Sequence, residues 1–201
     1  MYLSKIMISG AACRNSYEIH RVLWTLFPAD PDARRDFLFR VGQSDRSQAE
    51  ILLQSLREPA QTSKDARIIG CKEYPLSLNA GQRLRFFLVA NPVKMIDDEA
   101  GRKNADGEPK KCRVPLARDD DQRSWIERKL KDVASLESLF VDPVSVLRFR
   151  KGKENRVGNI QQVSFQGILK VEEPKAMLTV VRNGIGPAKA FGCGLLSLAR
   201  V

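Results

Sequence analysis

The stretch "MYLSKIMISGAACRNSYEIHRVLWTLFP" (residues 1–28) decides how the first half of the chain folds. Residues 2–9 alternate well enough for a half-buried strand. Asn15 or Ser16 then offers a helix N-cap, because a short polar side chain can accept from the first free backbone N–H groups. Ile19, Val22, Leu23 and Leu26 follow the i, i+3, i+4, i+7 spacing that gathers apolar side chains on one helical face. Pro28 and Pro31 stop the helix.

Beyond this pair, "DFLFRV" (36–41) and "AEILLQSL" (49–56) read as short strands, and "RLRFFLVAN" (83–91) as the strongest strand of the first half. Strand, helix, strand, strand and a later strand is the order of a ferredoxin-like unit. Residues 97–111, "DDEAGRKNADGEPKK", hold no aromatic and no apolar type but alanine, which predicts a mobile, solvated loop. "DDDQRSWIERKLKDV" (119–133) opens with aspartates and spaces Trp125, Ile126, Leu130 and Val133 as a helix does. "VSVLRFRKG" (144–152), "QQVSFQGILKV" (161–171) and "GLLSLA" (194–199) read as strands. "EPKAMLTVVRNG" (173–184) carries Pro near its first turn and Gly at its end, as a helix should. The expectation is an α+β chain of two small domains in tandem, 1–88 and 89–201.

The chain has 201 residues, 43% of them hydrophobic and 29% charged, which fits a packed globular protein rather than a disordered one. Its formal charge is +10, with 34 Lys and Arg against 24 Asp and Glu. The excess is uneven: residues 1–98 carry 14 basic and 11 acidic side chains, and the remainder 20 and 13. That asymmetry favours a polyanionic partner, nucleic acid ahead of an anionic membrane surface, although a merely basic protein has the same totals. No stretch approaches the roughly 18 apolar residues of a membrane span, and the N-terminus lacks the basic start and unbroken apolar run of a signal peptide. Cys13, Cys71, Cys112 and Cys193 are scattered, with no C-x-x-C pair and one histidine in the chain. A zinc site is not expected, and unpaired thiols suit a reducing cytosol.

That histidine is His20, one turn after Tyr17 and one before Trp24. At roughly 100° per residue, these three fall within an arc of roughly 60° opposite the apolar face. Such a stripe needs a second surface to cover it, either the other domain or a ligand. An imidazole with an ordinary pKa of about 6.5 suits acid–base work near neutral pH. Tyr17 is within side-chain reach to orient it. RNA is a fitting substrate, since its own 2′-OH can attack the neighbouring phosphate once aligned.

Basic residues cluster in "RFRKGKENR" (148–156), with Arg148, Arg150, Lys151, Lys153 and Arg156, and in "KKCRV" (110–114), with Lys110, Lys111 and Arg113. Lys94 follows "ANP". These segments can track a phosphate backbone, or be ordinary solvated turns. "GIGPAKAFGCG" places glycines at 184, 186, 192 and 194 but has Lys189 where a dinucleotide fingerprint needs glycine. It reads as a tight loop packed between a helix and a strand.

Taken together these segments resemble the CasE family, the RNA-processing endoribonucleases of the type I-E CRISPR Cascade complex, within the RAMP superfamily. The resemblance covers nearly the whole chain and rests on "MYLSK", "YEIHRVLW", "RLRFFLVANPVK", "KCRVPL" and "GIGPAKAFGCGLLSLA" in order. It implies two tandem ferredoxin-like (RRM-like) domains and a substrate that is the repeat stem-loop of precursor CRISPR RNA. It also implies metal-independent cleavage at the 3′ base of the hairpin, leaving a 2′,3′-cyclic phosphate, with the mature RNA retained for Cascade. Tyr17 and His20 match the family's catalytic pair. Lys94, Lys110, Lys111, Arg113, Arg148, Arg150, Lys151, Lys153, Arg156 and Lys189 become the expected RNA contacts, and Gly184, Gly186, Gly192 and Gly194 a structural loop. The resemblance implies no cofactor, other Cascade subunits as partners, no membrane partner and a cytoplasmic location. Some relatives carry Lys or His where this chain has Thr25, so a cationic helper for the transition state is either missing or comes from Lys94 or Arg156. Some also carry Arg where this chain has Val89. The rival reading is a non-catalytic RAMP scaffold that only holds RNA.

Overall fold

A computed structural model describes residues 1–30, 32–60, 62–98, 100–151 and 156–201. The first sheet has the order β2-β3-β1-β4, all antiparallel neighbours, from β1 (Tyr2–Ser9), β2 (Phe37–Ser44), β3 (Gln48–Ser55) and β4 (Ala66–Glu73). The second has the order β10-β5-β9-β8, from β5 (Arg83–Ala90), β8 (Ala134–Lys151), β9 (Arg156–Val171) and β10 (Leu196–Arg200). Both are the ferredoxin-like arrangement, with the first strand of each unit lying between its third and fourth. β6 (Val93–Asp97) and β7 (Lys111–Pro115) form a separate two-stranded ribbon.

Helix α1 (Ser16–Trp24) starts where the sequence places it: Asn15 is extended and its side chain accepts from the Tyr17 N–H at 3.0 Å. It ends at Trp24, one turn short of Pro28. Ile19 and Leu23, with Leu26 beyond the helix, bury against Ile6, Ile8, Ile51 and Leu53. Helices α2 (Asp119–Leu130) and α3 (Pro174–Asn183) cover the second sheet, burying Trp125, Ile126, Leu130, Met177 and Val181 against Phe86, Leu88, Phe165 and Leu169.

Two expectations are corrected, and a third is placed in the fold. The fourth strand of the first unit is β4, which escaped notice because it is an edge strand with an exposed burial pattern and no apolar alternation. The strong strand at 83–90 instead opens the second unit, so the boundary expected at residue 88 falls inside β5. The loop expected over 97–111 is entered by β6 and left by β7. Within it Asp98 pairs with Arg102 (2.8 Å), and the Asp98 N–H donates to the Lys110 carbonyl (2.8 Å).

Among the described residues no helix is long and apolar enough to cross a membrane. The four cysteines are free thiols.

Candidate active site

The stripe opposite the core is covered mainly by protein. His20 lies among aromatic rings: Phe37 at 5.7 Å, Phe39 at 6.4 Å in a stacked arrangement, and Trp24 edge-on at 6.3 Å between centroids. Phe37 and Phe39 come from β2, so one strand fixes the ring that α1 presents. The His20 Nε2 atom is buried and has no hydrogen-bond partner. A structural histidine would ordinarily satisfy that nitrogen. Tyr17, one turn back, is 37% exposed, and its ring meets Phe191 at 6.3 Å.

Phe191 belongs to the glycine-rich segment, and the glycines explain how that segment reaches α1. A Cβ on Gly184 would stand 2.7 Å from the Gly194 carbonyl oxygen and 2.8 Å from Leu38 Cδ1 of the first unit. On Gly186 it would strike the Trp125 ring at 2.9 Å. Gly192 packs on Phe39, the residue beneath His20. The segment is pinned to β5 by the Gly194 N–H donating to the Val89 carbonyl at 2.7 Å. The loop therefore closes the seam between the units as well as joining α3 to β10. Gln54 of β3 adds a buried crossing bond, its Nε2 donating to the Val181 carbonyl at 2.8 Å. Arg40 of β2 donates to Ser197 Oγ at 2.9 Å and lies over the Phe87 ring.

The electrostatics of His20 come from burial first and from Arg35 second; both lower its pKa below the ordinary histidine value. The imidazole is therefore held in its neutral, proton-accepting form at neutral pH. Arg35 precedes β2 and was not singled out by the sequence; no motif or spacing marks it. Lys189 also feels the Arg35 charge and has a lowered pKa, chiefly through burial. Its Nζ donates to the Asn183 carbonyl at 2.6 Å. The cation whose charge reaches His20 is Arg35, while Lys94, one of the two helpers expected from the sequence, stands on β6.

The remaining basic residues fall into two further groups. Lys94, Lys110, Lys111 and Arg113 sit on or beside the β6–β7 ribbon and are exposed, with Lys111 already paired to Asp97. Arg148, Arg150 and Lys151 end β8 and Arg156 begins β9, where Arg148 registers with Asn159 and Lys151 with Arg156. Their side chains, and Lys153 altogether, lie outside the described residues. Val144 and Leu147 of β8 line a cleft of about 260 Å³ with Ser16 and Ile19 of α1, Arg40 and Gly192. Among the described residues no group of three or more His, Cys, Asp or Glu is placed to hold a metal.

The chain matches the family model described as CRISPR associated protein over residues 1–200. It is 42% identical over 200 residues to the CRISPR system Cascade subunit CasE of Escherichia coli, covering 99% of each chain. Its fold matches the crystal structure of the CRISPR-associated protein Cas6e from Escherichia coli with a TM-score of 0.85 and 40% identity, covering 100% of both chains. It also matches the CRISPR endoribonuclease Cse3 bound to a 19-nucleotide RNA, with a TM-score of 0.76 and 31% identity over 99% of this chain and 100% of that one.

Proposed function

The chain belongs to the CRISPR-associated protein family, and we propose that it cuts RNA with Tyr17 and His20. It is an endoribonuclease that processes precursor CRISPR RNA and a subunit of Cascade. The substrate is the repeat stem-loop, and the location is the cytoplasm where that RNA is made. The observation that carries the catalytic reading is the buried, unpartnered Nε2 of a histidine kept neutral beside an exposed tyrosine.

In the step proposed, the neutral His20 imidazole accepts the proton of the 2′-OH at the cleavage site. The O2′–P bond forms, the P–O5′ bond breaks, and the 5′ oxygen leaves with a proton taken from solvent. The products are a 2′,3′-cyclic phosphate and a 5′-OH. The RNA supplies its own nucleophile, so the step requires no metal-bound hydroxide. Tyr17 orients the attacking hydroxyl from the exposed side of the same helix. The basic arm of β8 and β9, the β6–β7 ribbon and Lys189 bind phosphates and hold the hairpin, which stays bound as the mature RNA.

His20→Ala tests this reading. General acid–base catalysis contributes about 10²–10⁴ in rate, or roughly 3–5 kcal/mol of barrier. Single-turnover cleavage should fall by that factor while hairpin affinity changes little, because binding is spread over many contacts. Equal losses of both would give His20 a packing role, and an unchanged rate would leave the scaffold reading.

A further inference from the structure

The charge near His20 is unbalanced. Arg35 stands two residues before Phe37, whose ring touches the imidazole, and its guanidinium has no hydrogen-bond or ion-pair partner among the described residues. The adjacent carboxylate is taken: Asp36 receives Arg57 through both oxygens, at 2.6 and 3.1 Å. Lys189 stands two residues before Phe191, whose ring meets Tyr17. Arg35 next to Phe37 and Lys189 next to Phe191 are thus both neighbours of the Tyr17/His20 helix, their charges repel, and neither has a carboxylate partner among the described residues. Cations held together without an acid are relieved by an anion placed between them. Lys189 is turned onto the Asn183 carbonyl, which leaves Arg35 with free planar donors that match phosphate oxygens.

We propose that Arg35 is a catalytic residue, donating to the non-bridging oxygens of the scissile phosphate as negative charge builds on phosphorus. Lys189 adds to the same positive field. The proposal rests on the Tyr17/His20 reading of the site. It separates the cation that serves the chemistry from the basic arm and ribbon that serve binding.

The test compares the parent, Arg35→Ala, Arg35→Lys and His20→Ala in single-turnover cleavage of the repeat hairpin. Binding is measured separately with a hairpin carrying one 2′-deoxy nucleotide at the cleavage site. Removal of a preorganised donor to a developing oxyanion costs about 10²–10³ in rate, and Arg35→Ala should slow by that factor. Its affinity for the deoxy hairpin should stay within about fivefold, since one phosphate contact among many is lost. Arg35→Lys should recover part of the rate, and added guanidinium ion should accelerate Arg35→Ala but neither the parent nor His20→Ala. A slow His20→Ala beside an Arg35→Ala that cuts like the parent would overturn the role of Arg35 alone. So would a rate loss in Arg35→Ala that matches its affinity loss and ignores guanidinium. A His20→Ala protein that cuts like the parent would overturn the catalytic helix, and this proposal with it.

Discussion

The two ferredoxin-like units share a strand order but differ in what covers their sheets. The second unit lays both α2 and α3 on its sheet and closes its core mostly with its own side chains, with Met1 of the first unit and Leu76 and Leu78 of the linker packed against it. The first has α1 alone, and between β3 and β4, where the second helix would lie, the described residues form an irregular crossover. That crossover is tied down by the buried Pro59 and by the Ala60 N–H donating to the Leu26 carbonyl at 3.2 Å. The missing cover comes from the neighbour: Gly184 meets Leu38, Gly192 meets Phe39 and Phe191 meets Tyr17. The helix that carries Tyr17 and His20 thus lies in the less complete unit and is finished by a loop of the complete one. Neither unit alone contains the proposed site.

The largest expected effect breaks that seam. Gly184 has φ 71° and ψ 165°, a region open essentially to glycine, and a Cβ there has no room against Leu38 or the Gly194 carbonyl. Backbone strain of about 1–3 kcal/mol and overpacking of about 1–3 kcal/mol should make Gly184→Val destabilising by roughly 2–6 kcal/mol. The two tryptophans report the units separately, Trp24 in the first and Trp125 in the second. In urea, the Trp24 transition (followed with Trp125→Phe) should shift further than the Trp125 transition (followed with Trp24→Phe). Equal shifts would mean that the first unit does not depend on the loop for its cover.

How much of this could be read in advance follows from where each contact originates. Helix α1 was legible because its apolar spacing is local, and β5 because Leu84, Phe86 and Leu88 alternate into the core. β4 was not, because an exposed edge strand has no buried side to impose alternation. β8 begins at Ala134, ten residues ahead of the expected strand, since a bulge between Leu136 and Ser138 interrupts the alternation by which Ala134, Leu136, Leu139 and Val141 face the core. Tyr17 and His20 share one helix and could be paired from their spacing. Arg35 and Phe191 could not, because what brings them to α1 is the start of β2 and a loop some 170 residues downstream, contacts that tertiary structure alone creates.

A smaller effect sharpens the comparison without strain. The Val181 carbonyl lies in the last turn of α3, where helical partners run out, and Gln54 of the first unit satisfies it. Gln54→Leu keeps the volume of the side chain but leaves that buried carbonyl unpaired, at a cost of about 1–3 kcal/mol. The loss falls on the contact between units, so the Trp24 and Trp125 transitions should separate in urea. Coincident, unshifted transitions would show that the bond is not what couples them.

The smallest effect is a pH dependence confined to one unit. His20 is the only histidine in the chain, and its ring packs on Phe37 and Phe39 of the first core. Burial lowers its folded pKa, and Arg35 lowers it further; the rings of Trp24, Phe37 and Phe39 surround it. The unfolded chain takes up this proton near an ordinary pKa of about 6.5, the folded chain only at lower pH. Stability from His20 is therefore fully present above about 6.5 and is lost as pH falls from there toward the folded pKa. In the second half of the chain the shifted acids, Asp98 of the ribbon and Glu172, have lowered pKa values, so their contributions fade only at lower pH, below the ordinary carboxylate range. Lowering the pH from 7.5 to about 5.5, a span that brackets the ordinary histidine pKa, should thus shift the Trp24 urea midpoint downward and leave the Trp125 midpoint nearly fixed. His20→Gln should remove the difference, because an amide has no proton to gain. Arg35→Gln should shrink it, by removing one of the two causes that keep the folded imidazole neutral. An acid shift that survives His20→Gln would place the sensor elsewhere in the first unit.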